Sequence, residues 1–141
     1  MDAIETRRFP FRVEPRYRGI LRIFGVRPGT AYVSLGDQLE AHFGWSHIVT
    51  PVSNITRWSI EGPWLALTAI GVRRGILDGV MSFSGTTAGG VRVDFRERPR
   101  YLFFRPPALY VAVEDPEGFA AALDARGIPG QDRRKRPMTG G

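Results

Sequence analysis

The sequence predicts a mainly β domain: a bent antiparallel sheet or small barrel of about seven strands, closed by one C-terminal helix, with a short helix after the first strand. Three observations carry that expectation. Short segments alternating apolar and polar residues recur along the chain, separated by Gly, Pro and Asp. A single stretch, Val111–Gly127, passes from the two-residue period of a strand into a capped helix. The chain has 141 residues and no cysteine, and a domain of that size buries roughly 70% of its unfolded surface without disulfide staples.

Taken in order, residues 1–8 are polar and charged and read as a flexible N-terminus. Phe9, Phe11 and Val13 share one face of a first strand, which Pro10 places at a sheet edge. Tyr17, Ile20, Leu21 and Phe24 fall at i, i+3, i+4 and i+7, the stripe of a short amphipathic helix. Arg16, Arg18 and Arg22 lie off that stripe, and Gly25 ends it. Strands follow at Thr30–Leu35, Gln38–Phe43, Ser46–Thr50 and Ile55–Glu61, punctuated by Gly36-Asp37, Gly44 and Pro51. Trp64–Ile70 is apolar all round, so periodicity leaves strand and helix both open. Val72–Ile76 and Val80–Ser84 form a hairpin about Asp78-Gly79. Gly85–Gly90 reads as a flexible connector, and Val91–Arg96 alternates without a fault.

The C-terminal unit is the most explicit. Leu109, Val111 and Val113 alternate with Tyr110 and Ala112. Asp115 is an N-cap, Pro116 suits the first helical position, and Glu117 complements the helix dipole. Gly127 supplies the left-handed stop. Phe119, Ala122 and Leu123 share the face that the helix must bury. Residues 128–141 have no apolar period and carry the basic run Arg133–Arg136, so they read as a disordered tail whose deletion from Gln131 is neutral. The domain is expected to span 9–127.

The run from Tyr110 to Leu123, a strand followed by Asp115-Pro116-Glu117 and a short helix, resembles the end of bacterial pleckstrin-homology-like domains. Phe9-Pro10-Phe11-Arg12 and Phe24-Gly25-Val26-Arg27-Pro28 resemble segments of small actinobacterial proteins. The resemblance covers 9–127 and implies a PH-like barrel closed by its helix; it brings no catalytic residues with it. Lipid-binding PH domains hold phosphoinositides with a Lys/Arg cluster between their first two strands. This chain instead has an apolar helical stripe in that segment.

Net charge is +6, and of 20 basic residues only Lys135 is a lysine. Such a surface favours anionic partners, although a GC-rich genome yields the same composition. No zinc-finger, helix-turn-helix or RNP-like pattern points to sequence-specific nucleic acid; Arg133–Arg136 would meet phosphates without specificity. No apolar run is long enough to span a membrane, and the N-terminus has no apolar leader. The expected location is the cytoplasm, including the periphery of a membrane.

Chemistry-bearing groups are sparse. His42 or His47 with Ser46 and Asp37 makes a hydrolytic triad on paper, but no G-x-S-x-G elbow exists, and no catalytic residue is assigned. Glu40, His42 and His47 would share the wet face of a hairpin, as zinc ligands or as ordinary surface residues. No metal or cofactor is assigned. Ser84–Gly90 lacks the lysine and following helix of a phosphate loop. The candidate binding residues are Arg98, Arg100, Tyr101, Phe103 and Arg105 in a proline-bounded loop, with Arg18 and Arg22 on the first helix. Bulky apolar residues ringed by arginine suit an acidic protein, an anionic lipid surface or a second copy of the chain. The expected function is a non-enzymatic PH-like binding or scaffolding module. The alternative is an enzyme or small-ligand carrier with its site inside the barrel.

Overall fold

The computed structural model describes residues 6–27, 29–62, 71–74, 79–86, 88–101 and 104–133. The ambiguous stretch Trp64–Ile70, the candidate contact Phe103 and the tail from residue 134 lie outside the described residues. The elements are β1 (Arg7–Pro10), α1 (Arg18–Arg22), β2 (Ala31–Leu35), β3 (Gln38–Phe43), β4 (Ser46–Pro51), β5 (Ile55–Glu61), β6 (Gly71–Arg74), β7 (Met81–Ser84), β8 (Gly90–Phe95), β9 (Ala108–Val111), α2 (Pro116–Ala125) and β10 (Gly130–Asp132). Short 3-10 turns at Pro15–Tyr17 and Val52–Asn54 precede α1 and β5.

The protein is mainly β, with two sheets and a C-terminal helix. One sheet has the order β1-β2-β3-β4 and the other β10-β5-β8-β9-β7-β6. This differs from the expected single sheet of about seven antiparallel strands. Two pairs, β7 with β9 and β10 with β5, are parallel. β9 pairs antiparallel with β8, and its other edge meets β7. Both faces of β9 are buried, so Tyr110 and Ala112 are as hidden as Leu109 and Val111.

The chain just after β1 belongs to both sheets. Phe11 N donates to Ala31 O at 3.1 Å, whereas Arg12 N donates to Ala112 O at 3.0 Å and Glu14 N to Gly85 O at 3.0 Å. Glu114 N closes the exchange on Pro10 O at 2.8 Å. The inward faces therefore share one core. Phe11 meets Phe43 edge-on at 4.9 Å, and Phe43 stacks on Phe83 at 5.8 Å. Phe119 of α2 lies 5.1 Å from Phe9.

Local signals place α2 as expected. Asp115 accepts from Gly118 N at 3.0 Å, and Pro116 occupies the first turn. Gly127 adopts φ +83°, and Ile128 N returns to Leu123 O at 3.2 Å, closing the C-terminus. The helix buries Phe119, Ala120, Ala122 and Leu123.

Three local expectations need correction. The chain does not become a tail at residue 128: Ile128 is buried, and β10 pairs with Trp58–Ile60 of β5. Trp58 Nε1 donates to Ile128 O and Trp58 N to Pro129 O, both at 3.0 Å, and the indole lies where a Cβ on Gly130 would stand. Pairing through backbone leaves no apolar period to read. The Gly/Thr connector is anchored, because Thr86 is fully buried and its hydroxyl bonds Glu14. Ser84 Oγ donates to Thr86 O at 2.6 Å, and Ala88 N donates to Thr86 Oγ1 at 3.1 Å. Finally, α1 is too short to use its whole stripe: Tyr17 and Leu21 are buried, whereas Ile20 is 51% exposed.

Two outcomes follow for stability. Phe119→Ala should cost about 3–5 kcal/mol in urea unfolding, the usual range for a buried aromatic. Ending the chain at Pro129 should lower the urea midpoint, because it removes β10 from the edge of β5; an unchanged midpoint would restore the tail reading.

Candidate docking surface

β3 separates two chemically different ends. At one end the Gly36-Asp37 turn joins β2 to β3, and Val52 N donates to Asp37 O at 3.1 Å. Arg126 of α2 donates to Gly36 O at 2.7 Å. An open groove of about 400 Å³ lies here, lined by Thr6, Ser34, Gly36, Asp37, Gln38 and Glu40. At the other end the Gly44-Trp45 turn joins β3 to β4.

The second end is assembled by a close approach of backbones. Trp45 N donates to Phe24 O at 3.0 Å, just past α1. Gly44 (φ +63°) and Gly25 (φ +78°) both sit in the left-handed region. A Cβ on Gly44 would strike Phe24 O, and one on Gly25 would lie 2.6 Å from the Trp45 ring. Glycine is thus required for contact as well as for conformation. The Phe24 ring in turn packs over Gly71 of β6.

This junction leaves large apolar side chains in water. Ile23 is 71% exposed and Trp45 76% exposed, beside the half-exposed Ile20. Arg18, Arg22 and Arg27, on and just after α1, are also exposed, and among the described residues none of the three enters an ion pair. Arg16 is engaged by Glu14 at 3.3 Å and lies over the Tyr17 ring at 4.9 Å.

The described residues of the proline-bounded loop, 96–101 and 104–107, reach the same end. Its root is held where β4 leaves its sheet: Glu97 N donates to Asn54 Oδ1 at 2.8 Å, and Asn54 Nδ2 donates to Glu97 O at 2.7 Å. Phe95 N donates to Pro107 O at 3.0 Å on the return. At the tip, Tyr101 and Phe104 exchange backbone hydrogen bonds of 2.9 and 2.8 Å. Tyr101 O–H donates to Ser46 Oγ at 2.8 Å, next to Trp45, and its ring lies 6.0 Å from Phe83.

The sequence-derived candidates therefore separate. Tyr101 is half-buried and anchors the loop, rather than presenting its ring to a partner. Arg100 and Arg105 flank the tip and are exposed, and Phe104 is 37% exposed. Arg98 lies nearer the root. Arg18 and Arg22 join the same end through α1. Trp45 and Ile23 were not among the candidates. A signal for Trp45 exists: an aromatic in a two-residue turn belongs to neither strand's core face.

The other constellations are dispersed or engaged. Asp37 and Ser46 lie at opposite ends of β3, so the paper triad does not assemble. On the outer face, Arg8 lies 4.5 Å over Tyr32, Tyr32 is 4.9 Å from His42, and His42 stacks on His47 at 5.7 Å. His42 Nε2 is 3.3 Å from Glu40 Oε1. Among the described residues, no three His, Asp or Glu side chains converge as metal ligands.

Gly44→Ala should cost more than about 1 kcal/mol, because it places a Cβ at positive φ and against Phe24 O. Urea unfolding measures the loss, and Trp45 side-chain shifts report the displaced turn.

Comparison of the chain with family models, with curated proteins and with solved structures finds no match.

Proposed function

We propose that the protein is a non-enzymatic binding module that docks an anionic partner through the end built by α1, the Gly44-Trp45 turn and the exposed Arg100, Phe104 and Arg105. The observation that carries this reading is the exposure of Ile20, Ile23 and Trp45 on segments that also carry the exposed Arg18, Arg22 and Arg27. Grouped exposed apolar side chains mark interaction sites, whereas scattered ones do not. Arginine favours carboxylate and phosphate through its fork of donors.

The finer fold assignment belongs to the same proposal. A PH-like barrel is supported by the segment that passes from one sheet to the other at Phe11–Glu14 and by the helix that follows the last strand of the core. A cytoplasmic, membrane-peripheral location accords with a basic docking end, and self-association through that end is an outcome that sizing would reveal. A ligand site between the sheets has less support, because Phe11, Phe43 and Phe83 are in ring contact there.

Titration with inorganic polyphosphate, followed by amide NMR shifts, tests the reading without assuming a particular partner. Shifts should concentrate on residues 18–27, 44–46, 100–101 and 104–105. They should fade at high salt, as the screening length falls from about 8 Å to about 3 Å. Shifts spread evenly over the surface, or centred on α2, would contradict it.

A further inference from the structure

Resting on that docking end, we infer that its partner is the surface of an anionic lipid bilayer, entered by Ile20, Ile23 and Trp45. Shape is the first argument. Ile23 caps the C-terminal end of α1 and Trp45 stands at the tip of a two-residue turn. At 71% and 76% exposure the two side chains form raised knobs rather than a groove's walls, with the inner side of the Trp45 ring resting on Gly25. A protein partner must carry preformed pockets for such knobs, whereas a fluid interface forms around them.

Chemistry is the second argument. Isoleucine is wholly aliphatic, and tryptophan combines an apolar ring with one N–H donor, a combination enriched where acyl chains meet headgroups. Arg18 and Arg22 flank this patch on α1, Arg27 follows it, Arg100 and Arg105 are exposed beside Tyr101 and Phe104, and their guanidinium groups can bind phosphate bidentately. At the opposite end Asp37, Glu40 and Asp124 are matched by Arg7, Arg8 and Arg126. The arginines on and after α1 are therefore the local feature that favours a negative surface.

Rigidity is the third. The Gly25–Gly44 junction fixes the two knobs relative to each other before any contact, so little ordering accompanies insertion. With only a few side chains entering, attachment is shallow and reversible.

The test is co-sedimentation with phosphatidylcholine vesicles, with and without phosphatidylglycerol. Wild type should bind only the phosphatidylglycerol vesicles. The double variant Ile23→Ser with Trp45→Ser should bind about ten-fold more weakly or worse, through lost apolar burial. Its thermal midpoint should fall only slightly, because Ile23 is exposed and Trp45 packs only one side of its ring on Gly25, and the protein should stay folded at the assay temperature. Arg18→Glu with Arg22→Glu should also lose binding, and high salt should weaken wild type without abolishing it. Absent vesicle binding, while polyphosphate still maps to this end, overturns the bilayer and leaves the docking-end reading standing with an acidic protein as partner. Equal binding by wild type and the Ile23/Trp45 variant overturns insertion. A wild-type dimer that the same variant converts to monomer overturns it in favour of a second copy. If polyphosphate also fails to map to this end, the docking reading itself falls.

Discussion

The architecture depends on one short exchange of hydrogen bonds. Between Pro10 and Glu14 the backbone leaves β2 and pairs with Ala112, Glu114 and Gly85. A strand shared in this way forces the two sheets to face a common interior, so Phe9 and Phe11 reach aromatic rings contributed from across the fold. It also fixes where the chain emerges: α1 starts from this corner, anchored by Tyr17 and Leu21. Pro10 lacks an N–H but keeps its carbonyl, which is the atom used by Glu114. The residue that marks an edge in sequence thus serves a junction in three dimensions.

From that corner a second constraint builds the basic end. Two glycines, distant in sequence, allow the exit of α1 and the β3–β4 turn to touch through backbone alone. At this junction Ile23 and Trp45 are left 71% and 76% exposed. Their exposure is a consequence of packing, and it is stabilised from the other side by Tyr101 on Ser46. The polar groove beside Gly36 and α2 lie toward the other end of β3. The exposed apolar residues are therefore gathered at one end of the strand direction.

Much of this was legible where the physics is local. The α2 caps, the alternation of β3 and the breaks at Gly36, Gly44 and Pro51 all act within a few residues. The same holds for Arg18, Arg22, Arg100 and Arg105 as exposed cations. Long-range pairing was not legible. β10 carries no apolar rhythm, since its attachment is backbone to β5 with Trp58 over Gly130. The helical stripe of Tyr17, Ile20, Leu21 and Phe24 assumes more turns than α1 has. Tyr101 looked available because its neighbours are apolar, and only the fold reveals that its hydroxyl meets Ser46. Trp45 escaped notice because its partner surface comes from α1, far away in the chain.

Absence of cysteine makes the central claim directly measurable. A nitroxide on Ile23→Cys reports whether that position enters the acyl region when phosphatidylglycerol vesicles are added, with Glu117→Cys on α2 as the reference. The account predicts that the label at 23 becomes accessible to dissolved oxygen and shielded from a water-soluble nickel chelate, while the label at 117 stays in water. A label at 23 that remains equally open to the nickel chelate with and without vesicles, or protection at 117 instead, would contradict it.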